Sequence, residues 1–530
     1  MQYSHIPLLQ TGILPLLISD YLSAKESVKP LYNLAPTLEN FQLQLENKKK
    51  NFKNRLVLKE VLQKQYKHLA VSDTVKNNIE SLSDENTFTV TTAHQTNIFT
   101  GPLYYIYKII HVIKLAEKLQ QQYTDKKFVP VYWMGCEDHD IEEINHIHVL
   151  GEKLEWHEKQ GGATGRHNPN SLLVLIEKLK LQLVNEPYAT TIISIFEKAY
   201  AENNSLADAT QYFLNELFGK YGLVVINPDN RKLKQLFTHV IEAELFNETV
   251  VQQTKETINN IENLGYKPQA NPRAINLFYL DENIRERIVR NSDDVFEVLN
   301  TSIKFSKAAI LELIKTNPEK FSPNVFLRPL YQETVLPNLA YVGGSGELSY
   351  WLEQKNIFDF FKVPFPILMQ RNSFLLVDAA TQKKMQKLQL PVTAYFTDED
   401  TLIKNYIAEN SSLPNFEKER VALQDLFQQI KAKTILVDIT LQATVEAQLQ
   451  QALNNLDNLE KKIIKAEKNK QEVAINQLKA VRNKLQPNNI LQERYENILP
   501  YYAKHGEVLF DALYKAIQPL DANMNIVELT

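Results

Sequence analysis

The chain has 530 residues, 44% of them hydrophobic and 23% charged, too many for one ordinary core and typical of a globular protein, so two or three domains are expected. Its net charge of −4 with no basic tail excludes a chain-wide electrostatic footprint for nucleic acid, and no apolar run reaches the length of a membrane span. The single cysteine, Cys136, excludes an intrachain disulfide and fits a reducing cytoplasm.

The first residues have an apolar centre but neither a basic n-region nor a small-residue cleavage site, so they read as mature protein. Residues 1–85 read as a polar helical segment, with FQLQLENKKKNFKNRLVLKEVLQKQYKHL its clearest amphipathic piece and Lys48–Lys50 a solvated face. Residues 86–150 have the order strand, loop, helix, strand. Phe88–Ala93 is β-rich and is followed by the polar loop His94–Asn97. Thr100-Gly101-Pro102 is expected to open a helix, since threonine can cap and proline is tolerated in the first turn. Leu103, Ile106, Ile109, Ile110, Ile113 and Leu119 follow at helical spacing. Phe128–Met134 is a near-continuous apolar run, as for a strand covered on both faces. Ligands of doubly wound sheets bind at such strand tips.

A turn-rich segment, 151–171, contains Gly161, Gly162 and Gly165, and Gly165-Arg166 is a candidate for a mobile lid. Helices run to about 220, Gly222–Ile226 is a short buried strand, and 247–320 is a mixed insertion. The core pattern returns from Ser322 to Asp378, with a strand at Leu339–Val342, the turn Gly343-Gly344-Ser345-Gly346, a helix at Glu347–Lys355 and a strand at Phe365–Leu368. Only 14 glycines are present, so two such clusters point to a backbone requirement. Leu449, Ala452, Leu456, Leu459, Ile463, Ala466, Lys470 and Val473 form a heptad seam, continued one residue out of phase by Ala474, Leu478, Val481 and Leu485 until Pro487. This predicts a helical hairpin or a coiled-coil dimer, against a long surface helix. The expected domains are 1–85, a core at 86–378 interrupted at about 151–220 and 247–320, and a helical coiled coil at 379–530.

Glu137-Asp138-His139-Asp140 is the densest polar cluster, at the tip of a buried strand, where ionisable groups are costly unless solvated or bound to something. The alternative is capping of a helix at Ile141 by Asp138 or Asp140. A metal site from His139, Asp140, His146 and His148 is a further alternative, although no CxxC or HExxH spacing is present. His94-Gln95 with Thr100, Gly101 and Pro102 forms a potential anion site at a helix start, or a simple cap. Lys108 fits a snorkelling surface lysine. Gly343, Gly344, Gly346 and Glu347 follow a strand and open a helix, which suits close backbone approach to a nucleotide but is not a Walker loop. Arg371, after the next strand, and Arg328, near a possible strand end, are candidate phosphate or carboxylate contacts, with ordinary salt bridges as the alternative.

TAHQTNIFTGPLYYIYKII, PVYWMGCEDHDIEEINH, SPNVFLRPLYQETVLPNLAYVGGSGELSYW and RYENILPYYAKHG together resemble the cysteine-adding enzymes of bacillithiol biosynthesis. The resemblance implies an α/β fold: a Rossmann-like core related to class I aminoacyl-tRNA synthetases and nucleotidylyltransferases, with connecting-peptide insertions and a C-terminal coiled coil for homodimerisation. It implies addition of cysteine to the glucosamine amine of glucosaminyl-malate, with ATP activating the carboxylate and magnesium only as the companion of ATP. Small molecules are the implied partners, not nucleic acid or membrane. His94–Pro102 stands in the place of the HIGH signature, Gly343–Glu347 resembles the turn after the fourth core strand, and Gln370-Arg371-Asn372-Ser373 stands where the KMSKS loop would be. Neither signature is present as such, Ala93 replaces an expected glycine, and no zinc ligands for a substrate thiol are recognisable. In this reading Glu137, Asp138 or His139, with Asp140 in the same cluster, supplies the base, and Arg371 or Arg328 holds phosphate or malate carboxylates. The rival readings are a metal-dependent hydrolase built on Asp138-His139-Asp140 and a non-catalytic coiled-coil interaction protein.

Overall fold

Strands covered on both faces are mostly apolar, with any polar side chain satisfied by a neighbour, and the β-rich and apolar runs of residues 86–370 form such strands. In the computed structural model, which describes residues 1–291, 294–410 and 416–529, they are β2 (Thr87–His94), β3 (Lys127–Met134), β6 (Val224–Ile226), β12 (Asn338–Gly343) and β13 (Ile367–Gln370). They pair in the order β13-β12-β2-β3-β6, and every pairing is parallel. Among core strands this is fifth, fourth, first, second, third: a doubly wound sheet whose order reverses between β2 and β12. The helix Tyr104–Gln122 makes the first crossover and buries Ile106, Ile109, Ile110 and Leu119. The threonines of β2 are also buried because neighbours satisfy them: Thr91 Oγ1 donates to Asn338 Oδ1 at 2.8 Å and Thr92 Oγ1 to the Val342 carbonyl at 2.8 Å.

The insertion between β6 and β12 carries an antiparallel sheet, β10-β9-β8-β7-β11, built from β7 (Leu277–Asp281), β8 (Ile284–Arg290), β9 (Phe296–Val298), β10 (Lys304–Phe305) and β11 (Phe321–Pro323). Residues 292 and 293 of the expected 247–320 insertion lie outside the described residues. A small hairpin, β4 (His146–Val149) with β5 (Glu152–Glu155), follows β3. A third sheet has the order β1-β15-β14, from β1 (Gln2–Pro7), β14 (Ser373–Asp378) and β15 (Asn523–Leu529). The expectation of a purely helical start is corrected here. Gln2–Pro7 is a strand because its antiparallel partner arrives from the far end of the chain.

Contacts divide the chain into Met1–Leu376 with Ile490–Leu529, and Val377–Asn489. The last forty described residues thus pack with the first unit, where the sequence placed them in the span 379–530; residues 411–415 and 530 of that span lie outside the described residues. Within the second unit, the helices Glu417–Ile435 and Gln442–Lys470 form a hairpin. Leu449, Ala452, Leu456 and Ile463 are half-buried in it, whereas Leu459 is 48% and Val473 69% exposed. The expected phase change is a break: the long helix ends at Lys470 and a new helix, Glu472–Leu485, buries Leu478, Val481 and Leu485.

Candidate active site

The carboxyl ends of β2 and β3, the segment after β6 and the helices flanking β12 surround a cavity of about 400 Å³ at the point where strand order reverses. Its wall includes His94, Gln95, Glu137, Asp138, Glu143, Arg285, Arg328, Glu347 and Tyr350. A crevice at this place is where doubly wound sheets bind ligands.

At the β3 tip, Glu137 is buried and ion-paired to Lys234 at 2.8 Å. Asp138 is half-buried; its Oδ1 accepts the His139 backbone N–H at 2.7 Å and Arg285 Nη1 at 3.4 Å, and its Oδ2 accepts Gln95 Nε2 at 3.0 Å. Burial works against its charge, yet the hydrogen bonds from His139 and Gln95 and the Arg285 guanidinium hold its carboxyl well below the usual range. His139 is exposed, and its Nδ1 accepts Arg285 Nη1 at 2.6 Å. Asp140 is exposed, precedes the short helix Ile141–Ile144 without a side-chain cap bond, and is outside the cavity wall.

Across the crevice, the helix Ser345–Leu352 starts directly after β12. Glu347 accepts the Gly344 N–H at 2.8 Å, the Tyr341 hydroxyl at 2.7 Å and Lys108 Nζ at 2.8 Å. Burial opposes its charge, but the Lys108 ammonium leads the groups that bring the Glu347 carboxyl down to about 2. Lys108 also donates to the Ala93 carbonyl, so one buried ammonium ties the β2 tip to the helix after β12. Burial, with that ammonium nearby, pushes the His94 imidazole down to about 3, and its buried Nε2 has no hydrogen-bond partner among the described residues.

A family model for bacillithiol biosynthesis BshC, N-terminal Rossmann-like domain, matches residues 1–372, and one for the C-terminal coiled-coil domain of BshC matches residues 374–529. The chain belongs to the bacillithiol biosynthesis BshC family. It is 41% identical to a protein of Flavobacterium johnsoniae and 42% to one of Flavobacterium psychrophilum, each alignment covering 98% of both chains. It is 33% identical to a protein of Natranaerobius thermophilus, over 75% of this chain and 76% of that one. All three relatives bear the name "Putative cysteine ligase BshC". A solved arginyl-tRNA synthetase-titled structure from Campylobacter jejuni, 12% identical over 81% of this chain and 99% of that chain, has a TM-score of 0.23, which leaves the argument for the fold to the strand order itself.

Within this family frame, several expected site residues stand elsewhere. Arg371 is outside the cavity: its guanidinium is buried and grips Glu493 through Nη1 at 2.9 Å and Nη2 at 2.6 Å. Thr100, Gly101 and Pro102 are also outside its wall. The chain makes a short 3-10 turn at Ile98–Thr100, and the helix begins only at Tyr104, with Leu103, whose side chain cannot cap, at its start. The Leu103 N–H, which a phosphate would have used, donates to the Glu496 carbonyl at 2.8 Å. Gly343, Gly344 and Gly346 lie behind Glu347 rather than in the wall. Arg328 is in the wall, but on the helix Leu327–Val335 rather than at a strand end. It donates to Gln332 Oε1 at 3.2 Å and the Tyr350 hydroxyl at 3.1 Å, and among the described residues it forms no ion pair.

Arg166, offered as part of a mobile lid, pairs with Asp229 at 2.7 and 2.9 Å. His146 and His148 belong to the β4–β5 hairpin, and His148 stacks on Tyr495 with centroids 4.0 Å apart. Among the described residues, no group of three or more His, Cys, Asp or Glu side chains is placed to hold a metal.

As site residues, Glu143, Arg285 and Tyr350 were passed over, and the expected surface lysine, Lys108, is instead buried against Glu347. Lys108 carried a signal, because a lysine flanked by Ile106, Ile109 and Ile110 inside an apolar helix needs a buried partner. Arg285 carried none, since it reaches the cavity from a different sheet.

Proposed function

We propose that this chain is the cysteine-adding ligase of bacillithiol biosynthesis, joining the carboxyl group of cysteine to the glucosamine amine of glucosaminyl-malate. The observation that carries this is full-length membership of the BshC family together with a crevice at the strand reversal whose walls carry both carboxylates and guanidinium groups. A zwitterionic pair of substrates needs both signs of charge. The carboxylates at the β3 tip suit an amine, and Arg328, with no carboxylate partner of its own among the described residues, suits an anionic group.

For an ATP-derived group, the buried Nε2 of His94, without a hydrogen-bond partner among the described residues, and Arg328, without an ion pair among them, fit a phosphoryl oxygen, with magnesium as part of that substrate. ATP would supply carboxylate activation. The chain's own residues bind and orient: Lys108 fixes Glu347 against the β2 tip, and Arg285 fixes Asp138 and His139. The hydrolase reading is disfavoured by the same arginine, a cation that already takes the lone pairs of Asp138 Oδ1 and His139 Nδ1 that a metal would need.

We also propose a homodimer through the helical hairpin, supported by apolar side chains left exposed on it, among them Leu426 at 51% and Leu459 at 48%, and a cytoplasmic location, in keeping with a free cysteine and no helix, among the described residues, long and apolar enough to cross a membrane. The test is mass spectrometry of purified protein incubated with cysteine and glucosaminyl-malate, with and without ATP. The amide product is expected only with all three. Product without ATP would overturn the activation step; no product in any mixture would overturn the ligase.

A further inference from the structure

Four carboxylates line the cavity, and three of them face a cation: Glu137 meets Lys234 at 2.8 Å, Asp138 meets Arg285 at 3.4 Å and Glu347 meets Lys108 at 2.8 Å. Glu143 differs. Among the described residues it forms no ion pair, and its Oε2 accepts a single hydrogen bond, from Gln95 Nε2 at 2.7 Å. The same amide nitrogen reaches Asp138 Oδ2 at 3.0 Å. One neutral NH₂ group therefore holds two carboxylates side by side at the open end of the crevice, the arrangement an alkylammonium group can join.

The other ionisable groups there are committed. His139 accepts Arg285 at Nδ1, so its remaining ring nitrogen carries the proton and it has no lone pair to offer. Asp138, pinned by Arg285, the His139 N–H and Gln95, is a counter-charge rather than a proton acceptor. Glu143 is exposed, yet its backbone is held: its carbonyl accepts Asn97 Nδ2 at 3.2 Å, and Asn97 packs where a Gly101 side chain would be. The groups that face it are Gln95 and Asp138 from the two strand tips, Asn97 from the loop and Tyr104 from the first crossover helix.

We propose that Glu143 takes the proton from the attacking substrate amine, with Asp138 as the ammonium's counter-charge and Gln95 as the bracket that orients both. This rests on the ligase reading above. In the step, an N–H bond of the ammonium breaks and its proton joins a Glu143 carboxylate oxygen. The lone pair left on nitrogen attacks the carbonyl carbon of an activated cysteinyl ester. The C–N bond forms, the ester oxygen leaves with its electron pair, and the nitrogen's surplus proton passes to water at the open side.

The experiment is a pH series of steady-state rates on the full chain with cysteine, ATP and glucosaminyl-malate. Glu143→Gln is expected to lower kcat by about 10²–10⁴ near neutral pH, with the deficit closing as pH rises and the substrate amine loses its own proton in solution. KM for the amine should hardly move. Glu143→Asp should retain an intermediate rate. Asp138→Asn should instead raise KM for the amine, with no alkaline recovery. A Glu143→Gln enzyme with the unaltered pH profile, or with the same deficit at every pH, would overturn the assignment while leaving the ligase standing. No amide from the unaltered protein would overturn the ligase reading itself, and this assignment with it.

Discussion

The Arg371 side chain is 4% exposed and lies against a Glu493 side chain that is 3% exposed. Removing one member of such a pair strands the other charge in low dielectric. Arg371→Met is therefore expected to cost about 3–5 kcal/mol of stability, read as a lower urea midpoint, whereas Arg371→Met with Glu493→Met should recover most of it. Weaker nucleotide binding at unchanged stability would contradict this. Glu353 makes a second case. Its carboxylate is buried, has no ion-pair partner among the described residues, and accepts the Gln269 and Ala270 backbone N–H groups at 2.5 and 3.3 Å. Burial outweighs those donors and pushes its pKa from 4.5 up to about 7. The folded chain thus holds this proton more tightly than the unfolded one, so its contribution to stability is full below about pH 4.5 and is lost as pH rises through about 7. The slope reaches at most about 1.4 kcal/mol per pH unit. Urea titrations across this window should show that slope, and Glu353→Gln should flatten it; an equal slope in the variant would assign it to other groups.

At the scale of elements, the start of the first crossover helix carries a local demand. Gly101 has φ +59°, and a Cβ there would lie 2.8 Å from Asn97 Cβ. Gly101→Ala is expected to cost about 1–3 kcal/mol and also to slow the ligase, because Asn97 carries the backbone of Glu143. A calorimetric melt and a rate measured on the same sample would separate the two, and a variant unchanged in both would remove Gly101 from the argument. The hairpin offers the complementary test. Leu426 and Leu459 are exposed within one chain, so Leu426→Asp with Leu459→Asp should leave helicity by circular dichroism intact while light scattering reports the monomer. An unchanged dimer mass would move the contact elsewhere.

For the whole molecule, the C-terminal residues behave as part of the first unit. β15 pairs along β1, Gln492 brackets the Leu376 N–H and carbonyl at 2.8 and 3.0 Å, and Asn497 Nδ2 donates to the Phe99 and Gly101 carbonyls at 2.9 and 2.5 Å. A chain ending after Asn489 would expose the edges of β1 and β14 and strand Arg371. It is expected to lose the near-ultraviolet signal of a packed first unit and to aggregate through its open strand edges. A truncated chain that melts like the full one would show that the residues after Asn489 are dispensable.

Sequence alone determined what local pattern can determine. A β-rich run marked β2, apolar runs of strand length marked β3 and β6, helical spacing marked Tyr104–Gln122, and four stretches together pointed to the family. Asp138, His94, Gln95, Arg328 and Glu347 were named because polar residues at the ends of buried strands stand out. The tertiary structure decided the partners, since burial and pairing depend on residues far away in the chain. It joined β1 to β15, gave Arg371 to Glu493, and buried Lys108 against Glu347. It brought Arg285 from the insertion sheet onto Asp138, and it left Glu143, in a short helix, as the cavity carboxylate without a cation among the described residues. Charge and hydrogen-bond state are set by what packs against a group, and that is a property of the folded chain rather than of any stretch of it.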